Sequence, residues 1–125
     1  MAGLIVLDTT VLVDHIRGSE AARAYLRGLR DLPACSEVTR TELLRGIRSG
    51  ERRATDSLMA NLQWISVDER ISRRAGELGR RYRRSHSTIG VADLLIAATV
   101  ELSAGELATS NVRDFPMFNG LRPPY

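Results

Sequence analysis

What most limits this chain is the recurrence of short apolar runs, each closed by a polar residue and followed by helical periodicity. GLIVLD (3–8), PACS (33–36), WISV (64–67) and GELATSN (105–111) read as four short strands. The first is apolar without alternation, the mark of a strand covered on both faces. Between the strands the apolar spacing turns helical. TVLVDHIRG (10–18) ends at Gly18, and 19–31 sets Ala22, Leu26 and Leu29 on one side. Residues 38–49 place Val38, Leu43 and Ile47 inward, and 51–63 continue as a further helix. Asp68 caps an arginine-rich helix, and 86–104 form the most apolar helix of all, a pattern expected at the centre of a fold. A weak fifth strand is expected near NGLRPPY (119–125).

Such alternation predicts an α/β domain on a mostly parallel sheet of four to five strands. With 125 residues and no repeat or linker, the chain reads as one domain, 1–125. In parallel sheets ligands bind beyond the carboxyl ends of the strands, so the residues that close each run are the ones to follow.

Composition narrows the setting. The single cysteine, Cys35, has no intrachain disulfide partner, which suits a reducing compartment. No apolar run reaches the roughly 20 residues needed to span a bilayer. The N-terminus has no cationic region, and Asp8 interrupts the apolar stretch too early for a signal peptide. A cytoplasmic protein with no membrane partner is expected. All 18 basic residues are arginines, and seven fall within RISRRAGELGRRYRR (70–84). Such a cluster is either a solvated helix face or a surface for nucleic-acid phosphates, whose geometry the guanidinium fork matches.

The acids at the strand ends carry the chemistry. Asp8 closes the first strand, Glu42 lies in the first turns of the helix after the second, and Asp93 stands near the start of the apolar helix. Asn111 and Asp114 follow the fourth strand. Each has an ordinary reading. Asp8 or Thr9 could cap a helix, Glu42 could be solvated, Asn111 could make a turn, and Asp114 could be a surface acid. Asp93 resists dismissal, because it interrupts IGVADLLIAA, where an unpaired carboxylate costs several kcal/mol. Two carboxylates about 5 Å apart repel by roughly 3 kcal/mol at an effective dielectric near 20. A group of them in one cleft needs a cation or a proton. An all-oxygen set suits Mg2+ or Mn2+, whereas Cys35, His15 and His86 lack the spacing of a zinc site. Asp14, six residues beyond Asp8, reads as a surface acid past the cleft.

The absent lysine excludes the main competitors. A phosphate-binding P-loop needs GxxxxGK[ST], which the chain lacks. Receiver domains and haloacid-dehalogenase-type phosphatases place acids similarly but rely on a lysine. The phosphatases also want a second acid where Thr10 stands.

With these residues in place the sequence resembles the PIN-domain ribonucleases of the VapC toxin type. The resemblance covers essentially the whole chain. It rests on IVLDTTVLVD with Asp8, SEVTRTELLRG with Glu42, GVADLLIAATV with Asp93, and LATSNVRDF with Asn111 and Asp114. It implies a three-layer α/β/α fold, usually a homodimer. It further implies that Asp8 and Asp93 are the main ligands of Mg2+ (or Mn2+), with Glu42 completing the shell directly or through water. Thr9 or Thr10 would hold a water or a phosphate oxygen. The implied activity is hydrolysis of RNA by a toxin of a type II toxin–antitoxin pair. A VapB-like antitoxin would silence it, and promoter DNA would be bound only by the toxin–antitoxin complex. Arg73, Arg80, Arg81 and Arg84 are candidate RNA contacts. Many relatives carry a fourth acid where this chain has Asn111, and Asp114 is the alternative for that position. The competing expectation is a nuclease-silent PIN protein acting as a binding or regulatory subunit.

Overall fold

In a computed structural model, which describes residues 3–125, the sheet runs in the order β3-β2-β1-β4 with every neighbouring pair parallel. The strands are β1 (Ile5–Leu7), β2 (Ala34–Ser36), β3 (Gln63–Ile65) and β4 (Glu106–Ala108). The helices are α1 (Thr9–Ile16), α2 (Glu20–Arg27), α3 (Glu37–Gly46), α4 (Arg52–Ala60), α5 (Glu69–Tyr82) and α6 (Val91–Leu102). A single 3-10 turn, Val112–Asp114, follows β4.

Period-two side-chain geometry divides each strand between two cores. Leu7, Cys35 and Ala108 join one buried cluster with Val11, Leu12, Leu43, Met59 and Leu62. Ile65 and Leu107 face the other, which holds Ile71, Ala75, Leu78, Ile96, Ala97, Ala98 and Phe115. The sheet is thus covered on both faces, the three-layer arrangement expected. Helix α6 is buried from Ile96 to Val100, as its apolar composition demands. It meets α5 closely: a Cβ at Gly79 would stand 3.0 Å from Leu94 Cδ1, and Arg74 of α5 pairs with Glu101 of α6.

The local signals set most boundaries. Ser19, Ser36 and Asp68 cap α2, α3 and α5, accepting from the N–H groups of Ala22, Val38 and Ile71. Gly18, at φ +89, turns the chain after α1, where a side chain would be strained. Several expected bounds fail: the helix expected over 19–31 stops at Arg27, and the one expected over 51–63 stops at Ala60, with Gln63 entering β3. The helix expected over 38–49 stops at Gly46, and Ile47 leaves in extended backbone at φ −62, ψ 133. The helix expected from His86 begins at Val91, because Ser85, Ser87, Thr88 and Gly90 favour turns and caps. No fifth strand forms among the described residues. Pro123 and Pro124 cannot donate to a ladder, and 121–125 run outside the sheet. Among the described residues no helix is long and apolar enough to cross a membrane.

Register brings the site together. Leu7 pairs with Ala108 across β1 and β4, so the next residues, Asp8 and Thr109, emerge side by side. The two strands at the middle of the sheet, β1 and β2, lead directly into α1 and α3 at this same carboxyl edge.

Candidate active site

Asp8 occupies the N-cap position of α1 yet makes no capping bond. It is 3% exposed, and its side chain is held by hydroxyls instead. Thr10 Oγ1 donates to its Oδ2 at 2.9 Å and Thr109 Oγ1 to the same oxygen at 2.7 Å. The backbone N–H of Asp8 donates to Ala108 O at 2.8 Å, continuing the ladder past the strand. A buried carboxylate with both donors on one oxygen has a fixed orientation and presents the other oxygen outward.

Glu42 is held in a comparable way. Thr9 Oγ1 donates to its Oε1 at 2.6 Å, and the hydroxyl of the buried Thr39 lies 3.0 Å from that of Thr9. Thr39 and Glu42 are three residues apart on α3, so one face of that helix carries both. Thr9 and Thr10 thus each bond a carboxylate here, Thr9 that of Glu42 and Thr10 that of Asp8.

Asp93 falls in the first turn of α6, three residues after its N-cap Gly90. Burial pushes its pKa up from 3.8 to about 7, and the neighbouring carboxylates of Asp8, Asp114 and Glu42 push the same way. The backbone of Gly90 pulls in the opposite direction and is outweighed. This is the electrostatic signature of acids gathered without a counter-charge.

These side chains line a cleft of about 370 Å3 formed by Asp8, Thr9, Thr10, Val13, Asp14, Glu42, Asp93, Ser110 and Asn111. It opens at the carboxyl edge of the sheet. Two larger hollows, of about 550 and 540 Å3, share a wall formed by Leu29, Arg30, Asp31 and Leu32. The first also takes in Gly3, Leu4 and Glu106, at the opposite ends of the strands, and neither gathers these acids.

At the fourth position Asn111 lines the cleft itself, and its Nδ2 donates to Asp114 Oδ2. Asn111 is thus tied to Asp114, and of the two Asn111 lines the cleft. Two further residues escaped the sequence reading. Thr109, fully buried, bonds Asp8 and also accepts the Asn111 N–H at 2.9 Å. Its only signal was a threonine directly after a strand. Asp14, expected past the cleft, lines it and accepts a hydrogen bond from Tyr125 Oη. It lies one helical turn from Thr10 and so shares its face, a spacing that could have revealed it.

Among the described residues no three His, Cys, Asp or Glu side chains close on one point as a ready metal cage. The acids ring the cleft instead. That suits Mg2+, which keeps several of its waters and takes only one or two carboxylates directly. The donor set, all oxygen and in excess of any positive charge lining the cleft, fits the ion.

The fold and site so far are a parallel α/β sheet with a buried Asp8, and with Glu42 and Asp93, gathered at its carboxyl edge. The PIN-domain family model matches residues 5–118, and the chain belongs to the PIN-domain family. Within it the chain is similar to proteins of the VapC branch. It is 48% identical over 124 residues to ribonuclease VapC10 of Mycobacterium tuberculosis, covering 98% of this chain and 93% of that one. It is 46% identical over 123 residues to ribonuclease VapC19 of the same organism, covering 96% and 98%. Among solved structures, a toxin–antitoxin complex from Klebsiella pneumoniae superposes with a TM-score of 0.82 at 26% identity, over 97% of this chain and 98% of that one. VapBC2 from Rickettsia felis, bound to a promoter DNA fragment, shares the fold with a TM-score of 0.80 at 23% identity, over 94% and 95%.

Proposed function

We propose that this VapC-type ribonuclease hydrolyses RNA phosphodiester bonds with Mg2+ or Mn2+ held by Asp8 and Asp93, Glu42 joining directly or through water. The observation that carries the reading is the convergence of Asp8, Glu42 and Asp93 on one cleft whose lining holds no basic side chain. A half-buried carboxylate is pushed up to about 7 by its burial and by three acid neighbours, and a divalent cation relieves that repulsion. When bound, the ion supplies a polarised water and neutralises charge building on the phosphate.

The protein's own groups do the rest. Asp8 is fixed by Thr10 and Thr109, so its free oxygen keeps one direction. Glu42, oriented by Thr9, is the acid placed to take a proton from the attacking water. Asn111, tied to Asp114, contributes an amide where a further charge is common, which favours a single tightly held ion. Attack by water rather than by a ribose hydroxyl leaves 5′-phosphate and 3′-hydroxyl ends.

Arg80, Arg81 and Arg84 are exposed at the end of α5, beside the turn that leads to Asp93, and they are the proposed guides for the RNA backbone. Arg81 lies 5.7 Å from the centre of the Tyr82 ring. Arg73 is paired with Glu69 at 2.7 Å and is the weaker candidate. A VapB-like antitoxin is the proposed inhibitor, with a basic side chain aimed at Asp8 or Asp93, and promoter DNA is bound by the pair. A homodimer in the cytoplasm is the proposed state.

The test is cleavage of RNA with Mg2+, with EDTA, and by the Asp8→Asn and Asp93→Asn proteins. Activity confined to wild type with metal is expected. Full activity in both variants would sink the mechanism. A folded wild type that neither cuts RNA nor binds millimolar Mn2+ by calorimetry would instead favour the binding-subunit reading.

A further inference from the structure

Beside the cleft lies a group that the acids and threonines do not account for. Residues 121–125 run outside the sheet, and Pro123 and Pro124 restrict the backbone before Tyr125. Tyr125 Oη donates to Asp14 Oδ2 at 2.5 Å, and Asp14 is itself a cleft residue. Burial raises the hydroxyl's pKa, with Asp14 and, more weakly, Asp8 adding to it and Ser110 opposing, which places the phenol beside the acids. The residue as a whole stays 39% exposed. Tyr25 stands 6.0 Å away, tilted by 47°, as a buttress rather than a lid.

The other aromatic side chains are engaged elsewhere. Arg40 covers Trp64 at 4.1 Å, Phe115 is buried and stacked with Phe118, and Tyr82 meets His86 edge-on. Tyr25 packs against the core. Tyr125 is therefore the aromatic group bonded to a residue that lines the cleft.

We propose that Tyr125 is a substrate-positioning residue on which a nucleobase of the RNA stacks as the phosphate reaches the acids. The inference rests on the ribonuclease reading above. A cleft lined by Asp8, Asp14, Glu42 and Asp93 repels a phosphate backbone, so attraction near the reacting bond must come from bound cations or from uncharged groups. Base–aromatic stacking is such an attraction, insensitive to the surrounding negative charge and tolerant of base identity. The Asp14 bond and the Tyr25 ring give the phenol one orientation, so little freedom is lost when a base lands on it.

The experiment compares Tyr125→Phe, Tyr125→Leu and wild type, all in an Asp93→Asn background that does not cut. Binding is measured by anisotropy with short single-stranded RNAs in Mg2+, each carrying one abasic site moved along the strand. Leu is expected to weaken binding about ten-fold, within the roughly five- to hundred-fold range of lost stacking, while Phe stays within about two-fold. One abasic position should weaken the protein with Tyr125 by the same factor and leave the Leu variant unaffected, a coupling that a purely structural role would not produce. In cleavage-competent protein the Leu change should appear in KM rather than kcat. Equal affinities for Tyr and Leu, or a Leu loss that persists at every abasic position, would overturn the proposal. If wild type cuts RNA and Leu binds as well as Tyr, stacking alone falls. If wild type neither cuts nor binds RNA, the ribonuclease reading falls with it.

Discussion

Replacing Asp93 by asparagine should stabilise the protein while removing its activity, and the gain should depend on pH. The pKa of Asp93 is raised from 3.8 to about 7 in the folded, metal-free protein, first by burial and then by Asp8, Asp114 and Glu42. Between those values the folded state holds a proton that the unfolded chain has released. Stability therefore falls as pH rises from about 4 to about 7, and it levels off above. At about 1.4 kcal/mol for each tenfold change in proton affinity the full effect is about 4 kcal/mol. Asp93 is only half-buried, and solvent screening reduces this to about 2 kcal/mol. Asparagine keeps the size and polarity of the side chain and carries no charge. Asp93→Asn should then melt about 8 °C above wild type at pH 8, taking about 4 °C per kcal/mol for a chain of this size. The two should converge near pH 4. The assay is thermal denaturation by circular dichroism in EDTA across that range, where the difference between the proteins isolates Asp93 from the other acids. A difference that stays constant with pH, or one that grows toward acid, would refute the reasoning. Mg2+ at pH 8 should raise the melting temperature of wild type more than that of the variant.

Two other outcomes are expected. Thr109→Val removes the 2.7 Å donor to Asp8 and leaves the Asn111 N–H without its acceptor, so denaturant titration should show a loss of about 1.5–3 kcal/mol. Activity should drop about 10- to 100-fold, Thr109→Ser should restore most of both, and unchanged activity in the valine protein would remove Asp8's strut from the mechanism. Replacing Arg80, Arg81 and Arg84 together by alanine should flatten the salt dependence of RNA binding. Measured as log affinity against log salt, the slope should shrink by about 0.7 for each phosphate no longer neutralised by an arginine, and an unaltered slope would place the RNA elsewhere.

Part of the site was legible because its signals are local. Asp93 stood out as a charge inside an apolar helix, and Asp8 as the polar end of an apolar strand; neither observation needs a fold. The assignment of their roles came from four motifs in order, which a parallel sheet then carries to one edge. Asp14 was misread by treating six residues as distance, although one turn of α1 rises only about 5.4 Å and keeps Thr10 and Asp14 on one face. Thr9 and Thr10 were noticed for their hydroxyls, but the partners of those hydroxyls depend on where α3 docks. Thr39 has nothing in its own neighbourhood to mark it, and Thr109 only its place directly after a strand.

The sequence by itself determined the parallel α/β class, the order of its elements and the acids that meet in one cleft, since strand and helix periodicities and an ill-placed charge are properties of adjacent residues. Only the tertiary structure decided what holds those acids. The Asp8–Thr109 bond joins residues 101 apart and exists because Leu7 pairs with Ala108 rather than with a neighbour one step along. A one-residue slip would turn Thr109 to the other face of the sheet. Tyr125 reaches Asp14 across 111 residues on the same terms. Register and docking are collective outcomes of burying two cores at once, and no short stretch of chain encodes them.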